Sequence, residues 1–282
     1  MTRFLANPYL YLPGVSGSVA STPDSNALDI TGDIDLRARV SSTVWRNQTA
    51  CFIAKWSSPV SYAFRVNTGG TLALFLSNDG IATPSASSTA SVAPAAGDTL
   101  WVRATWRASD GRVQFFTAPG TIVNPVAADF VQLGADQTIA IASINIGTAL
   151  VAFGALTNTG SSQNWNGNYY RAQIRNGIDG TLVLDADFTA APLGSTTFTE
   201  SSSNAATITI NQTGTNPAIL RNPRRLLQPG VYLPGATGSY VQTSTATNLT
   251  SYNVLVYTVK AGFTAGISSG AITWLINRHL QG

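Results

Sequence analysis

The feature that most constrains this chain is a hydrophobic period of two. Over Asp33-Ile34-Asp35-Leu36-Arg37-Ala38-Arg39-Val40, apolar and charged residues alternate strictly. Successive side chains of a strand point to opposite faces, so this run predicts a strand with one buried face and one wet face. Similar runs cover 50–56, 62–66, 72–76, 100–106, 113–116, 138–146, 169–174, 182–188 and 206–210. Between them stand Thr68-Gly69-Gly70, Asn78-Asp79-Gly80, Ser109-Asp110-Gly111, Asn176-Gly177 and Asp179-Gly180. Asn, Asp and Gly accept the positive φ of tight hairpins. About ten strands at regular spacing, with almost no helical period, predict an all-β antiparallel jelly-roll sandwich. The Ser-, Ala-, Thr- and Pro-rich stretch 78–97 reads as an exposed loop or a weak edge strand.

Composition narrows the chemistry. Glu200 is the single Glu against twelve Asp, Lys55 and Lys260 are the two Lys against fourteen Arg, and His279 and Cys51 stand alone. One His and one Cys cannot supply the usual zinc ligand sets, and one Cys cannot form an intramolecular disulfide. No phosphate-binding glycine motif occurs. A net charge of +3 on scattered arginines lacks the dense basic face of a nucleic-acid binder. No run reaches the ~18 apolar residues of a membrane span, and the first residues show no apolar leader core. The expectation is a chain made in a cytosol, without membrane insertion or nucleic-acid partner. Cys51, in Ala50-Cys51-Phe52-Ile53-Ala54, reads as a small buried hydrophobe.

The chain repeats itself once. Tyr11-Leu12-Pro13-Gly14-Val15-Ser16-Gly17-Ser18 returns as Tyr232-Leu233-Pro234-Gly235-Ala236-Thr237-Gly238-Ser239. The reading is a domain over 1–220, a linker over 221–230, and a partial repeat of the domain opening over 231–282. About fifty residues cannot cover the apolar face of their own sheet. The short C-terminal extension is therefore expected to dock on another chain or join a homo-oligomeric interface, through Arg224, Arg225, Trp274, Leu275 and Ile276.

The runs Tyr11-Leu12-Pro13-Gly14 and Leu28-Asp29-Ile30-Thr31-Gly32-Asp33-Ile34-Asp35-Leu36 resemble the opening of concanavalin A-like (laminin-G-like) jelly rolls. Trp165-Asn166-Gly167-Asn168-Tyr169-Tyr170-Arg171 is similar to the aromatic-x-Gly closing strand of that family. With Asp185-Ala186-Asp187-Phe188 and Phe198-Thr199-Glu200-Ser201, the whole most resembles domains in minor tail proteins of actinobacterial tailed bacteriophages. The resemblance spans roughly residues 8 to 220. It implies two curved sheets and a virion component assembled in the host cytoplasm beside other virion proteins. Its role is expected in the tail or tail fibre, with host surface glycan as a partner. Capsid decoration and glycan degradation are the alternatives.

Glycan hydrolysis normally needs two carboxylates across the cleft. Glu200 is alone, and the Glu-x-Asp-x-x-Glu pattern of the resembling glucanases is missing. The pairs Asp33/Asp35 and Asp185/Asp187 could substitute, but their alternation reads as a solvated outer face. The expectation is no catalytic residue and no cofactor; a structural calcium, needing only oxygen ligands, stays open. Trp101 and Trp106 have opposite parity, so one faces the core. Trp165, flanked by Asn164 and Asn166, is the best sugar platform among the tryptophans; the resemblance gives it a second reading, a plug at the sandwich edge.

Overall fold

The computed structural model describes residues 8–157, 159–211 and 218–221. The partial repeat over 231–282, the linker 221–230 apart from Arg221, and the docking residues Arg224, Arg225, Trp274, Leu275 and Ile276 lie outside the described residues. Seventeen strands are described: β1 Tyr9–Pro13, β2 Ala20–Thr22, β3 Ile34–Ser41, β4 Ala50–Lys55, β5 Tyr62–Val66, β6 Thr71–Leu76, β7 Ser85–Ser91, β8 Thr99–Arg107, β9 Arg112–Pro119, β10 Val131–Gln132, β11 Gln137–Thr138, β12 Val151–Phe153, β13 Asn166–Asn176, β14 Thr181–Asp187, β15 Thr197–Thr199, β16 Thr207–Ile210 and β17 Ile219–Arg221. They form two antiparallel sheets. One has nine strands in the order β10-β9-β8-β3-β13-β1-β17, with β11 on β9 and β14 on β13. The other has eight, in the order β15-β16-β2-β12-β4-β5-β6-β7. This is the all-β jelly-roll sandwich that the alternation predicts.

The core lies between the sheets and is built by parity. Ile34, Leu36, Ala38 and Val40 of β3 face inward and are fully buried, as are Leu10 and Leu12 of β1 and Phe52 and Phe64 from the facing sheet. An aromatic cluster fills one end: Trp165 lies 5.0 Å from Trp45 and 5.1 Å from Phe52, ring centre to ring centre. The Tyr169 hydroxyl donates to the Phe52 carbonyl at 2.9 Å, joining β13 to β4 across the layers. Trp101 and Trp106 do point to opposite faces. Trp106 is core, and its indole N–H donates to Ile139.

Two expectations need correction. The run 138–146 forms a strand only at its start, in β11. Ile139, Ile144 and Asn145 give their amide hydrogens to Gly111, Thr31 and Ser77 respectively. The segment thus spends its backbone donors on three separate loops instead of one ladder. The outer face of β3 is also not uniformly wet. Asp35 and Arg37 point away from the sandwich, yet both are buried, as are Arg103, Gln173 and Asp185 beside them. The loop 121–130 folds over this part of the nine-stranded sheet as a roof. Trp101 donates its indole N–H to the Ile122 carbonyl at 2.8 Å, Arg37 reaches the Pro125 carbonyl, and Arg171 the Val123 carbonyl. Phe130 packs against Trp101 and Ala118 and lies 5.1 Å below the guanidinium groups of Arg37 and Arg103.

Candidate functional site

Beneath the roof Arg37, Arg103 and Arg171 are each matched by aspartate. The Asp35 carboxylate accepts two hydrogen bonds from Arg37 and two from Arg103, at 2.7–3.0 Å, and one from the Asp179 backbone. Asp179 pairs with the same two arginines from the other side. Arg171 pairs with Asp185, which also accepts from Gln173 and Ser201. Burial works against the Arg37 charge, but the Asp35 and Asp179 partners outweigh it and hold its pKa above the ordinary value. Arg171 is raised in the same way, Asp185 overcoming the burial. These groups form a self-neutralising network that meets solvent at Asp179.

The same bonds settle the two aspartate pairs singled out for hydrolysis. Asp33 accepts the Ala108 amide, and Asp187 accepts the Thr189 amide and hydroxyl. Glu200 is buried and accepts from the backbone amides of Asp185, Ser202 and Ala206, which makes it the organiser of a loop. Asp35 and Asp185 are therefore roofed ion-pair partners, contrary to the solvated face expected of them.

Trp165 also differs from expectation. Its side chain is fully buried among Trp45 and Phe52, so neither face of the indole is presented to solvent. Its place is that of the plug at the sandwich edge. Asn164 is half-buried with a buried, unpartnered Oδ1. Asn166 is exposed, its amide held by Gln48 and its carbonyl by Ser42. The three residues do not converge on a common open space.

The open surface lies further along the same sheet, beyond the roof. Register places five outward-parity residues in one row across five strands: Thr99 (β8), Ser41 (β3, itself buried), Asn168 (β13), Tyr11 (β1) and Ile219 (β17). At ~4.8 Å per strand the row runs ~19 Å. Tyr9, Tyr11 and Tyr170 are half-buried, with rings at the surface. Tyr9 and Tyr170 stand 5.7 Å apart, and Arg221 lies 3.8 Å over the Tyr11 ring. Asn168 donates to the Ser41 hydroxyl at 3.2 Å. The local sequence dictates this placement. In Tyr9-Leu10-Tyr11-Leu12-Pro13 the leucines take the core parity and the tyrosines the opposite one.

At the end nearer the roof the row opens into a groove of about 670 Å³. Arg39, Asp98, Thr99, Leu100, Pro119 and Thr121 are among its lining residues. Arg39 joins groove to row, for its guanidinium sits 5.1 Å from the Tyr170 ring while its Nε donates to the Gly120 carbonyl at 2.8 Å. Unlike Arg37 and Arg171, Arg39 is pushed below its ordinary pKa, chiefly by burial. Flat aromatic rings, hydroxyls, an amide and a forked cation on a shallow surface can stack on a sugar ring's apolar face and bond its hydroxyls. The sequence reading missed these residues because it weighed tryptophans alone; the shared parity of Tyr9 and Tyr11 was the available signal.

No protein-family model matches the chain, and no curated protein is similar to it in sequence. Solved structures do resemble it in fold. A provisionally assigned carbohydrate-binding protein from Bacteroides ovatus superposes with a TM-score of 0.53 at 7% identity, over 77% of this chain and 60% of that one. The chain thus spans about three fifths of that protein's length. A SAP-like pentraxin from Limulus polyphemus gives 0.41 at 14% identity, over 63% of this chain and 79% of that one. The CBM40 of a Ruminococcus gnavus IT-sialidase, bound to α2,3-sialyllactose, gives 0.42 at 10% identity, over 59% and 90%. The similarity to the Bacteroides ovatus protein establishes a shared architecture, and the chain is an antiparallel β-sandwich of the jelly-roll kind.

Proposed function

We propose that this chain is a non-enzymatic glycan-binding protein and that its binding face is the outer surface of the nine-stranded sheet between Thr99 and Arg221. The observation that carries the reading is the row Thr99, Ser41, Asn168, Tyr11 and Ile219, with Tyr9 and Tyr170 beside it. The fold relationship with a provisionally assigned carbohydrate-binding protein supports it. The carboxylates of the roofed half are all engaged by guanidinium or amide donors, which favours holding a glycan over cleaving one. The resemblance to phage minor tail domains supplies the setting. In this proposal the protein belongs to a virion, in the tail or its fibres, and meets glycans of the host surface. Weak single contacts would then add through many copies.

A printed array of neutral and acidic glycans, probed with the full chain, tests the reading. Binding is expected to at least one glycan class and to fall about tenfold in Tyr11→Ala and Tyr170→Ala, the loss of one stacking contact. Glycan capture unaffected by both substitutions, or release of shortened products from the bound glycan, would overturn it.

A further inference from the structure

We infer that the glycan held by this face carries an acid group, a carboxylate or a phosphate, seated on the terminal nitrogens of Arg39. The inference rests on the binding face proposed above. Its basis is a difference among arginines that share one side of one sheet. Arg37, Arg103 and Arg171 each have an aspartate oxygen at 2.5–2.8 Å. Arg39 is half-buried and, among the described residues, has no carboxylate within ion-pair distance. Its Nε is committed to the Gly120 carbonyl. Its two terminal nitrogens, the paired edge that grips a planar acid with two parallel bonds, are left to the groove.

The neighbours sharpen the point. In cross-strand register Arg39 stands between Trp101 and Arg171, so one flank is apolar and the other carries like charge. Arg171 is itself taken up by Asp185 and Asn124. Asp187 acts on Arg39 only through space, with its Oδ1 turned to the amide and hydroxyl of Thr189. Asp98 lines the same groove but is exposed and makes no ion pair with Arg39. Arg175, at the far end of the face, also lacks a paired carboxylate. It gives a hydrogen bond to Gly180 and lies in the field of Asp35, Asp179 and Asp185. Arg39 shares with Arg65 and Arg175 the state of a cation that the fold desolvates without a carboxylate partner, and of the three it is the one that lines the groove. An anion supplied from outside restores what burial removes.

The test compares an acidic oligosaccharide with its neutralised twin. Oligogalacturonate, the same oligomer fully methyl-esterified, and a glycerol-phosphate oligomer are titrated into the full chain at low and high salt. At least one acidic probe is expected to bind tenfold or more tighter than the ester, with a preference that shrinks at high salt. Arg39→Gln is expected to abolish the preference, and Arg39→Lys to weaken it. A uronate preference names the carboxylate as the group recognised; binding of the phosphate oligomer alone names phosphate. Equal binding of acid and ester, both reduced in Tyr11→Ala, overturns the acid preference and leaves the glycan face standing. Capture of no glycan by the array described above defeats that reading itself. The acid–ester comparison uses the unaltered protein, so it decides the matter even if an Arg39 variant fails to fold.

Discussion

The outer face of the nine-stranded sheet holds two neighbouring regions made from nearly the same parts. In the roofed half, Arg37 and Arg103 sit over Phe130 and grip Asp35. In the open half, Arg39 and Arg221 sit over Tyr170 and Tyr11 with no aspartate between them. Both halves show cations on aromatic rings along one side of one sheet. What separates them is a loop and a carboxylate. Where both are present, the charges bond one another and hold the loop down. Where both are missing, the charges and rings face solvent. Polar residues on a sheet are therefore structural or available according to what covers them, and the residue types do not decide which.

Substitutions can break this contrast at several depths. The largest effect is expected from Asp35→Ala, which leaves two buried guanidinium groups sharing the half-exposed Asp179 as their one remaining carboxylate. A loss of about 3–5 kcal/mol in urea unfolding is expected; a loss below about 1 kcal/mol would mean the roofed network is ornamental to the fold. Trp165→Ala should cost a similar amount, about 3–5 kcal/mol, by opening a cavity beside Trp45 and Phe52. It should not alter glycan binding by any folded fraction. A selective loss of binding at unchanged stability would return Trp165 to the binding surface.

Phe130→Ala tests the roof alone. It removes the ring beneath both guanidinium groups, and about 2 kcal/mol of stability is expected to go with it. Faster hydrogen exchange confined to the amides under 121–130, with those of β1 and β13 unchanged near Tyr11 and Asn168, is the expected pattern. At the smallest end, Tyr11→Ala and Tyr170→Ala should change stability by only about 0.5 kcal/mol, because their rings already meet water. Their effect belongs in binding.

Alkali offers a check on the core. Burial pushes the Cys51 thiol up to about 12 from 9.0 and raises Tyr62 and Tyr169 well above the ordinary phenol range. Groups with raised folded values lose protons more readily when unfolded. Their contribution is whole below the ordinary values and fades as pH climbs from about 9 toward the folded ones. The urea midpoint should hold to about pH 9 and then fall, and native Cys51 should resist alkylation until the chain is unfolded.

Much of this fold is legible in the sequence because parity is a local property. Asp33 to Val40 announces its inward and outward sets, and Trp101 and Trp106 part to opposite faces as their odd spacing requires. What parity cannot convey is the cover on the outward side. Asp35 and Arg37 read as wet because the loop that hides them is about ninety residues away in the chain. Its apolar content, Ile122, Val123, Val126 and Phe130, was the only hint. The run 138–146 failed as a strand for a related reason, since a ladder partner is a tertiary fact. The proposed binding face was half legible. Large indoles were the natural sugar platforms to look for, yet Trp45, Trp101, Trp106 and Trp165 are all buried. A two-layer shell needs its bulkiest apolar rings to fill space, whereas tyrosine, with a hydroxyl to wet, is the ring such a shell can leave outside.

The arrangement of β1 has a temporal consequence. This strand, from the start of the domain, lies between β13 and β17, whose last residue is Arg221. Tyr11 acquires its neighbour Ile219 only after more than two hundred intervening residues have left the ribosome. The proposed binding face is thus completed by pairing between the two ends of the described domain, a contact of high sequence separation of the kind that slows folding. A chain that stops short of β17 would lack Ile219 beside Tyr11 and Leu220 in the core, so the glycan binding proposed above would be a property of finished molecules alone.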